Sequence, residues 1–212
     1  MEIKSLTNID FETIFKAFSK AFADYDIQLN KYELKTMWKR RGFNPDLSFA
    51  AFNGEDIAAF TLNGIGDFNG RKMAYDTGTG TLKEYRGKGL ATKIFTYSIP
   101  FLKEANINYY ILEVLKHNKQ AISVYQKIGF EISREFNFFI WNNEEIKIDS
   151  IKNKYSYLIE PININKYDTI PTFWDFYPSW QNSFESIQRT SEDFICLGAF
   201  SNKKIIGYCV FE

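Results

Sequence analysis

The chain has 212 residues, and its 26 Lys and Arg balance 26 Asp and Glu, so the formal net charge is zero at neutral pH. That balance excludes the charge excess expected of a nucleic-acid binder or a membrane-surface protein. Apolar residues make up 45%, which suits an ordinary packed core, and no apolar run approaches membrane-spanning length.

From the start of the chain, Ile3 to Leu6 is predicted as a first strand. Asp10 is placed to cap a helix in which Phe11, Phe15, Phe18 and Phe22 recur at helical spacing with Ile14 and Ala21. A second helix is expected over Tyr32 to Arg41, stopping before Gly42 and Pro45. Leu47 to Phe52 and Ile57 to Leu62 flank the polar turn Asn53-Gly54-Glu55-Asp56 and predict a hairpin. Gly64 to Gly70 is expected as a loop. Arg71 to Leu82 is the next strand, where Gly78 and Gly80 suggest a bulge or close backbone approach by a ligand. A helix from Gly89 should bury Leu90, Ile94, Tyr97 and Phe101 and bend at Pro100. A buried strand over Tyr109 to Leu115, a helix over Lys119 to Ile128 and a strand pair over Phe130 to Trp141 complete the series. The alternation implies a mixed α/β (α+β) fold, with a partly parallel central sheet and helices on both faces.

Two motifs carry chemistry. Tyr85-Arg86-Gly87-Lys88-Gly89-Leu90-Ala91 lies between a predicted strand and a predicted helix. Glycines there let a ligand approach the backbone, and the first helical turn offers free N–H groups and a positive dipole end to phosphate oxygens. The loop lacks the Ser or Thr and the glycine spacing of a nucleotide-triphosphate loop, and it lacks the spacing of a dinucleotide fingerprint. The second motif is Asn118-x-x-Ala121-x-x-x-Tyr125-x-x-x-Gly129-Phe130, preceded by Leu112-Glu113-Val114.

Together the motifs resemble the GNAT acetyltransferase superfamily. The resemblance implies transfer of an acetyl group from acetyl-CoA to a primary amine of a small molecule or peptide, by direct attack and without a metal. It implies that backbone amides of Gly87, Lys88, Gly89, Leu90, Ala91 and Thr92, with Arg86, hold the pyrophosphate. It also implies that Thr81 and Leu82 pair with the pantetheine arm as a strand edge does with a peptide. The family often has Pro where this chain has Lys83. The spacing Glu113-x4-Asn118-x6-Tyr125 also occurs in the ribosomal-protein N-terminal-alanine acetyltransferases, where the Glu is the general base and the Tyr the general acid. At the end of a buried strand, Glu113 would have its pKa raised toward a useful value. Deprotonation through water, with Glu113 as a structural carboxylate, is the other reading. Asn118 would tie the strand to the cofactor, cap the helix, or both. Asp24, Tyr25, Asp26 and the segment to Tyr32 are expected to line the acceptor site.

Polar residues 142–154 suggest a linker between a unit over 1–148 and a tail over 155–212. Ala51-Phe52-Asn-Gly-Glu-Asp-Ile57-Ala-Ala59-Phe60 aligns with Ala199-Phe200-Ser-Asn-Lys-Lys-Ile205-Ile-Gly207-Tyr208, and Tyr157 to Ile162 echoes the first strand. The tail therefore reads as a partial second GNAT-like unit, with strand, helices and hairpin. Its hairpin is expected to dock on the first unit or on another copy of the chain as a homodimer. Cys196 and Cys209 fit no zinc spacing, and Met1 to Ser5 holds no apolar signal core. The expectation is a cytoplasmic enzyme with reduced thiols. The competing expectation is a non-catalytic acyl-CoA-binding sensor or scaffold.

Overall fold

The phenylalanine stripe does fold into a helix against a sheet. In this computed structural model, which describes residues 1–25, 28–137, 139 and 156–212, α1 spans Phe11–Ala21. Asp10 caps it, its side chain accepting from the Thr13 amide at 2.9 Å. The α2 helix, Lys31–Arg41, opens on a capping box between Asn30 and Glu33 and ends at Gly42, whose φ of 76° suits a left-handed cap.

The described residues form two compact units, interleaved in sequence. The first holds Met1–Ile128 and Tyr177–Glu192; the second holds Gly129–Phe176 and Asp193–Glu212. In the first, β1 (Glu2–Ser5), β2 (Phe49–Asn53), β3 (Asp56–Phe68), β4 (Arg71–Thr81) and β5 (Tyr109–Ile111) lie side by side in chain order. The first four are antiparallel, and β5 joins β4 in parallel. On one face, α1 and α2 bring Ile14, Ala17, Leu34 and Trp38 onto Ala50, Phe52, Ile57, Phe60 and Leu62. On the other, α3 (Leu90–Glu104) sets Leu90 and Ile94 on Phe49, Ala51, Ala58 and Ala59. This is the expected mixed α/β layering, with helices on both faces of a partly parallel sheet.

Several elements differ from expectation. Gly64 to Phe68 is strand, because β3 and β4 are joined by the two-residue turn Asn69-Gly70, both at positive φ. Asn-Gly is the favoured hairpin turn, and it extends the ladder through the glycine-rich stretch expected as a loop. Gly78 and Gly80 make room for α1 and for Phe60: a Cβ at Gly80 would sit 2.5 Å from the Phe60 ring and 2.9 Å from Ala21, and one at Gly78 3.1 Å from Phe18. Tyr97 and Phe101 are 41% and 39% exposed, because the buried stripe of α3 runs Leu90, Ile94, Ser98, Leu102. Pro100 lies inside this helix. The β5 strand stops at Ile111, and Glu113 to His117 are exposed. Residues 130–137 form no strand; Phe138 and residues 140–155, which include the expected linker and the end of the expected strand pair, lie outside the described residues.

The second unit has a three-stranded antiparallel sheet of β6 (Leu158–Pro161), β7 (Ile195–Ser201) and β8 (Lys204–Phe211). Ala51 faces Ala59 and Phe52 faces Ile57, with a slip between them; Ala199 faces Gly207 and Phe200 faces Ile205, with the same slip. Glu2 opposes Phe52 as Leu158 opposes Phe200.

Candidate active site

The ladder between β4 and β5 covers only Met73–Tyr75 opposite Tyr109–Ile111. Beyond it, among the described residues, Asp76 to Thr81 have no strand partner on that side. A slip opposite Leu62 and Asn63 leaves Thr77 as an extra residue in β4. A bulge of this kind bends and twists its strand, which suits the parting of two neighbours. The result is an open strand edge able to take a strand-like ligand arm, and Thr81 and Leu82 stand at its end. Leu82 is buried, and its amide donates to the Ala58 carbonyl at 3.0 Å.

From that edge the chain makes a short 3-10 turn, Lys83–Tyr85, and enters α3 through the glycine loop. Gly87 and Gly89 have φ of 77° and 69°, and nothing lies within 4 Å of a Cβ placed on either. Gly89 is the helix N-cap and offers no side-chain partner to the first turn. The free amides around Leu90, Ala91 and Thr92 therefore open onto unfilled space. This cradle fits a pyrophosphate. Lys88 holds its ammonium 5.0 Å from the Tyr85 ring centre. The Arg86 side chain does something else. Its guanidinium donates to the carbonyls of Thr81 (3.2 Å) and Ala21 (3.0 Å) and to the Asp24 carboxylate (3.0 Å). It ties the loop to the end of α1, and it takes up Asp24, one of the two acids expected to line the acceptor site. Asp26, the other, lies outside the described residues.

Across the opening, α4 (Lys119–Lys127) is capped by Asn118, whose side chain accepts from the Ala121 amide at 3.1 Å. The Asn118 side-chain nitrogen donates to the Tyr25 hydroxyl at 3.4 Å. Further along the helix, Tyr125 donates its hydroxyl to Asp76 Oδ2 at 2.7 Å. Asp76 also accepts from Thr79 Oγ1 at 2.7 Å and from the Gly78 amide at 2.9 Å. Burial pushes the Asp76 carboxyl above the usual carboxylate range, against the lowering pull of these hydrogen bonds. Burial, and then the Asp76 charge, pushes the Tyr125 phenol well above its ordinary value. Tyr125 thus keeps its proton at neutral pH and has a carboxylate behind it.

Glu113 sits differently. It is exposed, so the buried environment expected for it belongs to Asp76. Its Oε2 accepts from Gln181 Nε2 at 2.9 Å. Gln181 Oε1 in turn accepts from Arg41 Nη2 and Nε at 2.6 and 3.1 Å, and Arg41 Nη1 donates to the Thr77 carbonyl at 3.1 Å. Beside them, Trp180 stacks on Tyr75 with ring centres 5.2 Å apart and 3° between planes, and its indole donates to the Arg41 carbonyl. Glu113 thus contacts Gln181, and Tyr125 contacts Asp76. Asp76, Arg41 and Gln181 were not expected. A lone acid in the otherwise uncharged run Met73 to Thr81 was a signal for the first; no sequence pattern marks the other two.

Among the described residues, no helix is long and apolar enough to cross a membrane, and no cluster of three or more His, Cys, Asp or Glu is placed to hold a metal.

Residues 11–130 match the family model described as Acetyltransferase (GNAT) family. N-alpha-acetyltransferase MAK3 of Arabidopsis thaliana is 27% identical over 97 residues, 45% of this chain and 51% of that protein. N-alpha-acetyltransferase 30 of Schizosaccharomyces pombe is 29% identical over 87 residues, 41% of this chain and 58% of that protein. The chain thus spans about half the length of these curated relatives. A crystal structure of the NatC complex bound to Gag peptide and CoA superposes with a TM-score of 0.51 at 20% identity, over 62% of this chain and 86% of that one. An aminoglycoside acetyltransferase from an uncultured soil sample, in complex with sisomicin, gives 0.53 at 14% identity, over 68% and 96%. At such identities the two structures show a shared fold.

Proposed function

Because the chain belongs to the GNAT acetyltransferase family, we propose that it moves an acetyl group from acetyl-CoA to a primary amine. The observation that carries the reading is the alignment, along one strand edge, of an open glycine cradle at one end and a proton-holding tyrosine at the other. Backbone amides of Gly87 to Thr92 would hold the pyrophosphate, and the unpaired stretch ending at Thr81 and Leu82 would receive the pantetheine arm. Arg86 contributes by fixing the loop. A peptide N-terminus is the acceptor we favour, because the curated relatives are N-alpha-acetyltransferases. An aminoglycoside-like small amine is the alternative.

The chemistry balances in one displacement. The amine nitrogen attacks the thioester carbonyl, a C–N bond forms and the C–S bond breaks. Tyr125 turns its hydroxyl from Asp76 and gives that proton to the leaving thiolate, the Asp76 carboxylate holds the phenol in position, and solvent reprotonates the tyrosinate before the next turnover. Glu113, which is exposed, accepts the proton lost by the amine, directly or through water.

We further propose that β6, β7 and β8 are the frame of a partial second unit of the same kind, around the segment Tyr177–Glu192 that belongs to the first. The matched registers and the shared slip support this, and the tail contains no counterpart of Arg86, Gly89 or Ala91.

Release of free thiol from acetyl-CoA, screened across peptides and small amines, tests the reading, with calorimetry on Gly89→Val beside it. A branched side chain at φ 69° is strained and fills the cradle. We expect amine-dependent thiol release by the wild type and lost acetyl-CoA binding in a variant that still folds. Acetyl-CoA binding without turnover on any amine would favour the sensor or scaffold. Unchanged binding by a folded Gly89→Val would remove the loop from the site.

A further inference from the structure

The family match ends at residue 130, yet Tyr177–Glu192 belongs to the first unit. We propose that this late segment completes the acceptor side of the site, with Gln181 as a positioning residue that orients Glu113 and keeps it apart from Arg41. The inference rests on the acetyltransferase reading given above.

Three observations carry it. First, Gln181 stands between a cation and an anion and serves both through opposite ends of one neutral amide. Its oxygen takes two N–H groups of Arg41, and its nitrogen donates to Glu113. Without it, the guanidinium and the carboxylate have no intermediary. A direct Arg41–Glu113 pair would stabilise the ionised carboxylate and so make it a weaker base toward the amine. Second, the placement is fixed by buried contacts. Trp180 is 1% exposed, stacked on Tyr75 and packed with Phe68, and its carbonyl takes the hydroxyls of Ser183 and Ser186. Arg40 donates to the Gln181 carbonyl at 3.0 Å, which pins the backbone of the residue itself. Third, the chain of contacts reaches the other half of the site. Arg41 holds the Thr77 carbonyl, next to Asp76. Gln181 thus links the bulge that bears Asp76 to Glu113.

Arg41 from α2 lies behind the Gln181 amide. Tyr75 and Asp76 belong to β4, and burial pushes the Tyr75 phenol well above its ordinary value, so it stays neutral.

Gln181→Met and Gln181→Glu test the proposal. Methionine keeps the length of the side chain and removes both hydrogen bonds. It should lower kcat on the amine about tenfold to a hundredfold while the KM for acetyl-CoA stays level. Glutamate can still accept from Arg41 but sets a second carboxylate beside Glu113. It should move the acid limb of the pH–rate profile to higher pH. The same upward shift should be seen in the NMR titration of the Glu113 carboxyl, which needs no turnover and so separates this inference from the acetyltransferase reading. If Gln181→Met fails to fold, the titration in Gln181→Glu still decides. Wild-type kcat in a folded Gln181→Met, or an unmoved Glu113 titration in Gln181→Glu, would overturn the proposal.

Discussion

The strand triplets β1-β2-β3 and β6-β7-β8 share a register and a slip, but the elements packed on them differ. Ala58 is fully buried under α3, whereas Ile206, at the corresponding position of β8, is 51% exposed. The face bearing Phe60 meets the aromatic stripe of α1, whereas Tyr208, at the matching position, meets Phe173 and Trp174 from a run of short helical turns. The first sheet continues into β4, its bulge, the glycine loop and β5. The second has no such continuation among its described residues. A strand frame with the right register is thus a mount for a site, and the chemistry comes from the elements added after the third strand.

Tyr125→Phe breaks the comparison most sharply. It removes one hydroxyl from the first unit and should lower turnover about 10²- to 10⁴-fold, the range for a general acid, with acetyl-CoA affinity nearly unchanged. The variant also leaves Asp76 short of a donor, so its melting temperature should fall modestly. Tyr208→Phe, the matching loss in the tail, should leave turnover unaltered. Comparable kcat losses from both would show that the two sheets are not functionally distinct.

Trp180→Ala should cost about 3–5 kcal/mol of first-unit stability by denaturant melting, as expected for a wholly buried indole. A loss below about 1 kcal/mol would mean that the 177–192 segment is only loosely attached.

Ala58→Leu and Ile206→Leu sharpen the contrast of cover. The first overpacks the contact with Leu90 and Ile94 and should cost about 1–3 kcal/mol. The second, at a half-open position, should stay within about 0.5 kcal/mol. Equal costs would mean that the tail sheet is as tightly covered as the first.

The smallest effect concerns pH. Burial holds the Asp76 carboxyl above its unfolded value, so the folded state binds that proton more tightly. Its contribution is fullest below about pH 4, declines as pH rises toward the raised folded value, and is level beyond it. The slope is at most about 1.4 kcal/mol per pH unit, one proton's worth. Asp76→Asn should lack that decline, and the difference between the two stability curves isolates it from groups such as Asp10 and Glu192, which shift downward. Parallel curves would show that Asp76 titrates alike in both states.

Much of the frame was legible because it is local. Asp10, the phenylalanine period and Gly42 delimit two helices by short-range rules, and the glycine loop announces itself by spacing. The candidate site was legible only as motif spacing, at Tyr125 and Asn118. It was illegible where partners lie far apart in the chain. Asp76 gains its meaning from Tyr125, and Arg41 from Gln181, and no local pattern joins either pair. Asn69-Gly70 was readable but was outweighed by the glycines before it. The family resemblance gives Arg86 to phosphate, and its geometry commits it to Ala21, Thr81 and Asp24.

Interleaving of the two units also bears on the birth of the molecule at the ribosome. The chain emerges from its amino end at about 5–20 residues per second. Tyr125 therefore precedes Gln181 by about 3–11 s. During that interval the strands and helices through Lys127 are already out, while Tyr75 and Arg41 still await the indole of Trp180. A sticky aromatic surface stands open at the far end of the β3–β4 hairpin until the chain doubles back to close it. The nascent protein thus passes through a stage with β4 built and its cover of tryptophan unmade, the stage at which a chaperone would find most to hold.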